Sequence, residues 1–128
     1  MSNYDLLIMQ ERRENIIVIK SELFADRVIK MCKYLSKQKT GDNDMIRQIY
    51  RSGTSIGANV SESQYAQSRA DFLTKMTIAL KEANETNFWL GRLYFGGNLT
   101  QAQYESIKND NEEIIKLLTS ITATIKGT

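Results

Sequence analysis

The residues best suited to chemistry in this chain are five glutamates on three predicted helices: Glu62, Glu82, Glu85, Glu112 and Glu113. Carboxylates inside a helical bundle can bind a pair of iron or manganese ions, but such sites combine glutamate with histidine in Glu-x-x-His motifs. The chain contains no histidine, which also removes the commonest general base and a common zinc ligand. None of the five falls on a predicted core stripe. The sequence therefore predicts no catalytic residue, no metal site and no cofactor.

A cluster of cations is the second group of side chains that could do chemistry. Between residues 27 and 51 the chain carries seven lysines and arginines against two aspartates, a local charge of +5, although its net charge is only +2. Such a patch attracts phosphate groups, so we predict a nucleic-acid-binding surface. The predicted contact residues are Arg27, Lys30, Lys33, Lys37, Arg47 and Arg51. The alternative is that the charges of the first helix form only a solvated face opposite its core.

The elements that hold these residues are predicted to be helices. The 128 residues include no proline, and 41% are hydrophobic and 25% charged, which is typical of one globular domain. Apolar residues recur at spacings of three and four, which predicts helices over residues 15–36, 44–65, 69–95 and 101–126. A polar lead of residues 1–14 precedes them and is expected to be frayed. The pattern indicates an all-α fold, an up-and-down antiparallel four-helix bundle.

Local signals set the predicted helix ends. Asp44 is predicted to cap the second helix after a turn over residues 37–43. Thr100 and Gln103 match a capping box at the start of the fourth helix. Asn111 is the one polar member of the apolar stripe of that helix, which is typical of a residue that fixes helix register.

Two glycines and the single cysteine are predicted to be structural. Gly53 and Gly57 lie four residues apart on the apolar side of the second helix, where each costs about 1 kcal/mol relative to alanine. We therefore expect another backbone to pack closely against them, and the spacing is not that of a phosphate-binding loop. Cys32 lies in the core stripe of the first helix, and one cysteine cannot form an internal disulfide. Since no apolar run is long enough to span a membrane, we expect a cytoplasmic protein.

The third helix carries large apolar residues outside its core stripe. Phe88 and Phe95 project to one flank, while Ile78 and Trp89 fall among charged residues. A helix that is apolar on more than one side is usually buried on more than one side, and a four-helix monomer leaves nothing to cover Ile78 and Trp89. These four residues predict self-association. A surface for a protein partner or for stacking nucleic-acid bases is the alternative.

Two long stretches carry a family resemblance. Residues 51–62 read RSGTSIGANVSE, and residues 68–90 read SRADFLTKMTIALKEANETNFWL. With shorter likenesses at residues 15–21 and 33–35, the chain resembles the bacterial four helix bundle protein family. This family includes proteins encoded in intervening sequences of large-subunit ribosomal RNA genes. The chain departs from the family pattern at Ser63, where glycine is common.

The resemblance implies a four-helix bundle that forms a ring-like homo-oligomer, a pentamer by analogy with relatives, and it implies no enzymatic activity. Accessory proteins of diversity-generating retroelements look similar in architecture and bind nucleic acid through a basic surface. The polar positions of the family correspond here to Arg51, Asn59, Glu62 and Glu85. The resemblance leaves open whether these are ion-pair partners within the bundle or oligomer, or ligand contacts.

Two functions are consistent with these patterns. The first is a non-catalytic oligomeric adaptor that binds RNA or DNA through basic residues of the first two helices, without a membrane. The alternative is a protein-interaction scaffold that works through Ile78 and Trp89 and ignores nucleic acid.

Overall fold

The protein is a four-helix bundle in a computed structural model that describes residues 1–38 and 42–127. The helices are α1 (Asn3–Ser36), α2 (Asn43–Ser63), α3 (Arg69–Phe95) and α4 (Gln101–Lys126). Each helix packs against the next one along the chain, and α4 packs back against α1 to close the bundle. The predicted fold class is confirmed.

The first helix is longer than predicted, because the segment expected to be a polar, frayed lead is its first part. α1 begins at Asn3 rather than near residue 15. Ser2 and Asp5 form a capping box: the Ser2 hydroxyl accepts from the Asp5 amide at 3.1 Å, and the Asp5 carboxylate accepts from the Ser2 amide at 3.3 Å. With its first amides capped and no glycine or proline before Ser36, the segment propagates as helix.

The ends of α2 also differ from the prediction. Its N-cap is Asp42, not Asp44: an Asp42 carboxylate oxygen accepts from the amides of Asp44 at 3.0 Å and Met45 at 3.2 Å. Both aspartates can cap, but one cap residue serves two amides here and leaves Asp44 in the first turn, where its charge suits the helix dipole. α2 ends at Ser63, two residues before the predicted 65. Part of the predicted first turn, including Lys39, lies outside the described residues.

The last two helices have the bounds that the sequence predicted. Ser68 caps α3, and its hydroxyl accepts from the Asp71 amide at 3.0 Å. Thr100 and Gln103 form the capping box of α4, with bonds of 3.1 and 2.9 Å. Between these helices Gly97 adopts a φ of +82°, a left-handed conformation that a side chain would strain.

The core lies along the bundle axis, and α1 and α2 approach closely at the two predicted glycines. A Cβ on Gly53 would lie 2.8 and 2.9 Å from the methyl carbons of buried Val28, and one on Gly57 would lie 3.1 Å from the Ser21 carbonyl oxygen. Asn111 is fully buried, and its side-chain amide donates to the Ala83 carbonyl at 2.8 Å. Across the described residues, no helix is long and apolar enough to cross a bilayer.

Candidate functional site

Four of the six predicted nucleic-acid-binding residues are exposed near one end of the bundle, which contains the C-terminal end of α1 and the N-terminal end of α2. Lys30 and Lys33 lie on α1 and Lys37 is its C-cap, and within the described residues none of them forms an ion pair. Arg47, on the first turns of α2, pairs with Asp44 of the same helix, and three-quarters of its side chain is exposed. We call these four cations the basic end.

The other two predicted contacts, Arg27 and Arg51, are partly exposed and form ion pairs between helices. Arg27 joins α1 to α4: its guanidinium lies 2.6 Å from the Asp110 carboxylate and donates to Ser106. Arg51 joins α2 to α3 by pairing with Glu85 and, at 3.2 Å, with Glu82. To bind a phosphate, each guanidinium would have to leave carboxylates of another helix, whereas Arg47 pairs within its own helix. Among the described residues, the predicted contacts therefore divide into cations that have no ion pair with another helix and cations that join two helices.

A groove of about 600 Å³ opens between α1 and α2 at the basic end. Its lining residues are Cys32, Lys33, Ser36, Lys37, Ile46, Arg47 and Tyr50. The buried side chains of Cys32 and Ile46 form apolar walls. The exposed side chains of Lys33, Lys37 and Arg47 give the rim a positive charge. A groove of this composition suits a ligand with an apolar body and negative charge.

The groove also contains a buried thiol, which carries no charge at neutral pH. Cys32 is 4% exposed, and its thiol donates to the Ile46 carbonyl over 3.8 Å. Burial raises the pKa of the Cys32 thiol to about 11, because a thiolate is poorly solvated there. At neutral pH the thiol is protonated, so the local charge comes from the cations.

Two exposed tyrosines accompany the cations, and the prediction of the site missed both. Tyr50 is 45% exposed and lines the groove. Tyr34 is 55% exposed and lies beside Lys30 in a second groove between α1 and α4, of about 300 Å³. The signal was available, since Tyr34 follows Lys33 directly and Tyr50 lies one turn beyond Arg47. Cations interleaved with aromatic rings are typical of nucleic-acid-binding surfaces.

The apolar residues predicted to form an interface are not equally exposed. Phe88 and Phe95 are 57% and 84% exposed, and the Arg92 guanidinium lies 5.7 and 5.5 Å from their ring centres. Ile78 is 37% exposed. Trp89, expected to have no cover in a monomer, is only partly exposed, because it packs against the core of its own bundle. Its indole nitrogen donates to Glu85 at 3.3 Å.

The four polar positions of the family resemblance lie on α2 and α3. The Arg51–Glu85 pair joins these helices, and Glu62 pairs with Lys75 at 2.7 Å across the same seam. The hydrogen bond and the charge of Glu62 raise the pKa of Lys75. Asn59 donates to the Ser55 carbonyl within α2 at 2.9 Å. In this chain the charged positions thus bind helix to helix.

The carboxylates first considered for metal chemistry are engaged with other side chains: Glu82 and Glu85 contact Arg51, and Glu62 contacts Lys75. Glu113 pairs with Lys20 at 2.7 Å, and Glu112 accepts from the Asn87 amide at 3.0 Å. In the part of the chain that the structure describes, no three candidate metal ligands come together.

An all-α bundle with a basic end and paired charges along its helix seams defines the class of this protein, and sequence comparison defines its family. The family of 23S rRNA-intervening sequence proteins matches residues 13–120. The match covers most of the chain, so the protein belongs to this family, as the resemblance indicated.

A solved structure agrees with the fold and the family. The chain is similar to the crystal structure of a protein of unknown function from the S23 ribosomal protein family of Bacteroides thetaiotaomicron. The two sequences are 50% identical, the match covers 87% of this chain and 98% of that chain, and the TM-score is 0.83. No curated protein matches the chain.

Proposed function

We propose that this protein is a non-catalytic, oligomeric nucleic-acid-binding adaptor of the cytoplasm, and that the basic end contacts RNA or DNA phosphates. The observation that carries the proposal is the division of the cations. Lys30, Lys33 and Lys37 are exposed without an ion pair in the described residues, whereas Arg27 and Arg51 are held by carboxylates. The absence of histidine supports the non-catalytic part.

The family narrows the choice of the first ligand. The name of the family refers to intervening sequences of 23S ribosomal RNA, and that of its solved relative to a ribosomal protein family. A structured RNA is therefore the first ligand to test. Contacts through lysine and arginine to phosphates fix position without reading sequence, so we expect little sequence preference.

The test is the affinity of the protein for a structured RNA at two salt concentrations. Four phosphate contacts per protomer predict a fall of about 50- to 150-fold between about 50 mM and about 200 mM salt. Replacing Lys33 and Lys37 together by glutamate should weaken binding and flatten the slope of log affinity against log salt by about 1.4 to 1.8.

A matched pair of lysines controls for net charge. Lys81 and Lys116 are exposed on α3 and α4, and within the described residues neither forms an ion pair. The Lys81→Glu/Lys116→Glu variant changes the net charge by the same amount and should bind RNA nearly as the parent does. Equal losses in both double variants would refute a specific basic end. Affinity independent of salt would refute phosphate contacts altogether.

The oligomeric part of the proposal depends on the exposed aromatic residues of α3. Phe88 and Phe95 flank Arg92, and together they form an apolar surface with a central cation, the residue types that dominate binding energy in protein interfaces. Ile78 and the exposed edge of Trp89 are candidates for the same interface. A ring, with a pentamer as the first candidate, would repeat the basic end around its axis and strengthen the field on RNA.

The mass of the protein in solution tests whether it forms an oligomer through α3. The Phe88→Ser/Phe95→Ser variant should shift the assembly toward the monomer, whereas Tyr65→Ser, which removes an 85% exposed ring from the turn after α2, should not. Trp89 is a poor choice for this test because its loss also disturbs the core. A protein that assembles through α3 but ignores RNA would favour the alternative function, a protein-interaction scaffold. A parent protein that is monomeric at all concentrations would refute self-association.

A further inference from the structure

The groove at the basic end has a property that a phosphate-binding surface does not need: apolar walls beneath the cations. Its volume of about 600 Å³ lies within the range of about 300–1,000 Å³ typical of small-molecule sites. Ile46 and Cys32 provide apolar wall, and Tyr50 presents an aromatic ring that is 45% exposed. The rim carries Lys33 and Lys37 on α1 and Arg47 on α2.

A base-paired strand cannot use such walls. In a duplex the faces of each base are stacked on their neighbours, and the backbone presents only phosphate and sugar to a cationic rim. An unpaired nucleotide can turn its base out of the strand and stack it on an aromatic side chain while its phosphates stay outside. The order of the groove, from apolar walls to cationic rim, matches the order of a nucleotide from base to phosphate.

Two other grooves that are lined by cations fit this ligand less well. The groove around Lys20, Arg27, Asp110 and Glu113, of about 270 Å³, contains two cations already paired with two carboxylates. It therefore has no free positive charge to attract a phosphate. The groove beside Tyr34 has about half the volume of the one beside Tyr50.

We infer that the α1–α2 groove binds one unpaired nucleotide of an RNA strand, with its base stacked on Tyr50 and its phosphates on Lys33, Lys37 and Arg47. This inference rests on the proposed function and makes it narrower: RNA loops or single-stranded segments, rather than continuous duplex, are the preferred ligand. Arg47 can turn to a phosphate at small cost, because its exposed pair with Asp44 is of a kind that contributes little.

The test compares a hairpin RNA with a single-stranded loop against a fully paired RNA of the same number of phosphates. The parent protein should bind the loop RNA more tightly. Tyr50→Ala should weaken binding of the loop RNA by about tenfold, since base–aromatic stacking is lost, and should leave duplex binding within about twofold. Tyr50→Phe keeps the ring and should bind as the parent does. Tyr65→Ala is the matched control, because it removes an exposed tyrosine from the turn after α2.

A second measurement uses the parent protein, so its result does not depend on whether a variant folds. Cys32 is the single cysteine and lines the groove, so mass spectrometry can follow its alkylation by iodoacetamide at mildly alkaline pH. Saturating loop RNA should slow this alkylation severalfold, and saturating duplex RNA should slow it less.

The outcomes separate the inference from the function on which it rests. If Tyr50→Ala and the parent bind loop RNA equally, and Cys32 is not protected, the nucleotide site is refuted. In that case weakened binding by Lys33→Glu/Lys37→Glu would still support the basic end. If the parent binds neither RNA at low salt, the proposed function fails as well.

Discussion

Replacing Gly53 with alanine should destabilise the protein, although alanine is the better helix former. Gly53 lies in the interior of α2, where glycine costs about 1 kcal/mol relative to alanine. If propensity alone mattered, the substitution would stabilise the fold by that amount. Packing against α1 should reverse the sign of this change in the free energy of unfolding.

The magnitude comes from the contact with Val28. A Cβ on Gly53 would lie 2.8 and 2.9 Å from the two methyl carbons of Val28 and 3.3 Å from its Cβ, where carbon atoms prefer about 3.5–4.0 Å. Val28 is fully buried on a helix, and its branched side chain has essentially one rotamer there. Rotation therefore cannot relieve the contact, and α1 must move. Overpacking of this kind costs about 1–3 kcal/mol, which leaves a net loss of about 1 kcal/mol after the gain in propensity.

Urea and thermal unfolding at fixed protein concentration measure the effect, and two variants serve as controls. Gly91→Ala, also inside a helix, would place its Cβ 4.0 Å from the Tyr104 hydroxyl and should stabilise by up to about 1 kcal/mol. Gly57→Ala, at 3.1 Å from the Ser21 carbonyl oxygen, should fall between the two. In the Gly53→Ala/Val28→Ala double variant the two losses should not add, because Val28→Ala makes room for the new methyl group, which in turn fills part of the cavity left by the valine. A Gly53→Ala protein as stable as Gly91→Ala would refute the packing argument.

Three further predictions concern single residues. Asn111→Ala should destabilise by about 2–3 kcal/mol in urea unfolding, because it removes buried hydrogen bonds and opens a cavity; Asn111→Leu, which fills the space, should cost less. Cys32 in the folded protein should be alkylated about 100-fold more slowly at pH 8 than in urea, since its pKa rises from 9.0 to about 11. The unfolded thiol loses its proton first, so folding stability should fall between pH 9 and 11 in the parent by more than in Cys32→Ala. Arg51→Ala should lower stability by at most about 1 kcal/mol, given its exposure, and should leave the salt dependence of RNA binding unchanged, because Glu85 already holds the guanidinium.

Much of the fold follows from local rules that act within a few residues. The spacing of apolar residues places all four helices, and the capping box at Thr100 and Gln103 fixes the start of α4, because both signals involve neighbours on the same helix. The start of α1 was readable in the same way: Ser2 and Asp5 form a capping box, which the polar composition of the first residues obscured. The family resemblance and the position of Asn111 in the apolar stripe of α4 were also visible in the sequence.

The candidate site was only partly determined by the sequence, because it depends on which helix faces which and at what height. Arg27 and Lys30 lie on one helix with the same charge, yet Asp110 of α4 pairs with Arg27, while Lys30 forms no ion pair with any residue that the structure describes. Trp89 was predicted to be exposed but is partly buried, because the fold packs it against core residues. Tyr50 lies at the edge of an apolar stripe, and only the gap between α1 and α2 decides that its ring faces a groove. Sequence periodicity fixes the direction of a side chain around its own helix, whereas ion pairing, burial and groove formation are set by the packing of one helix against another.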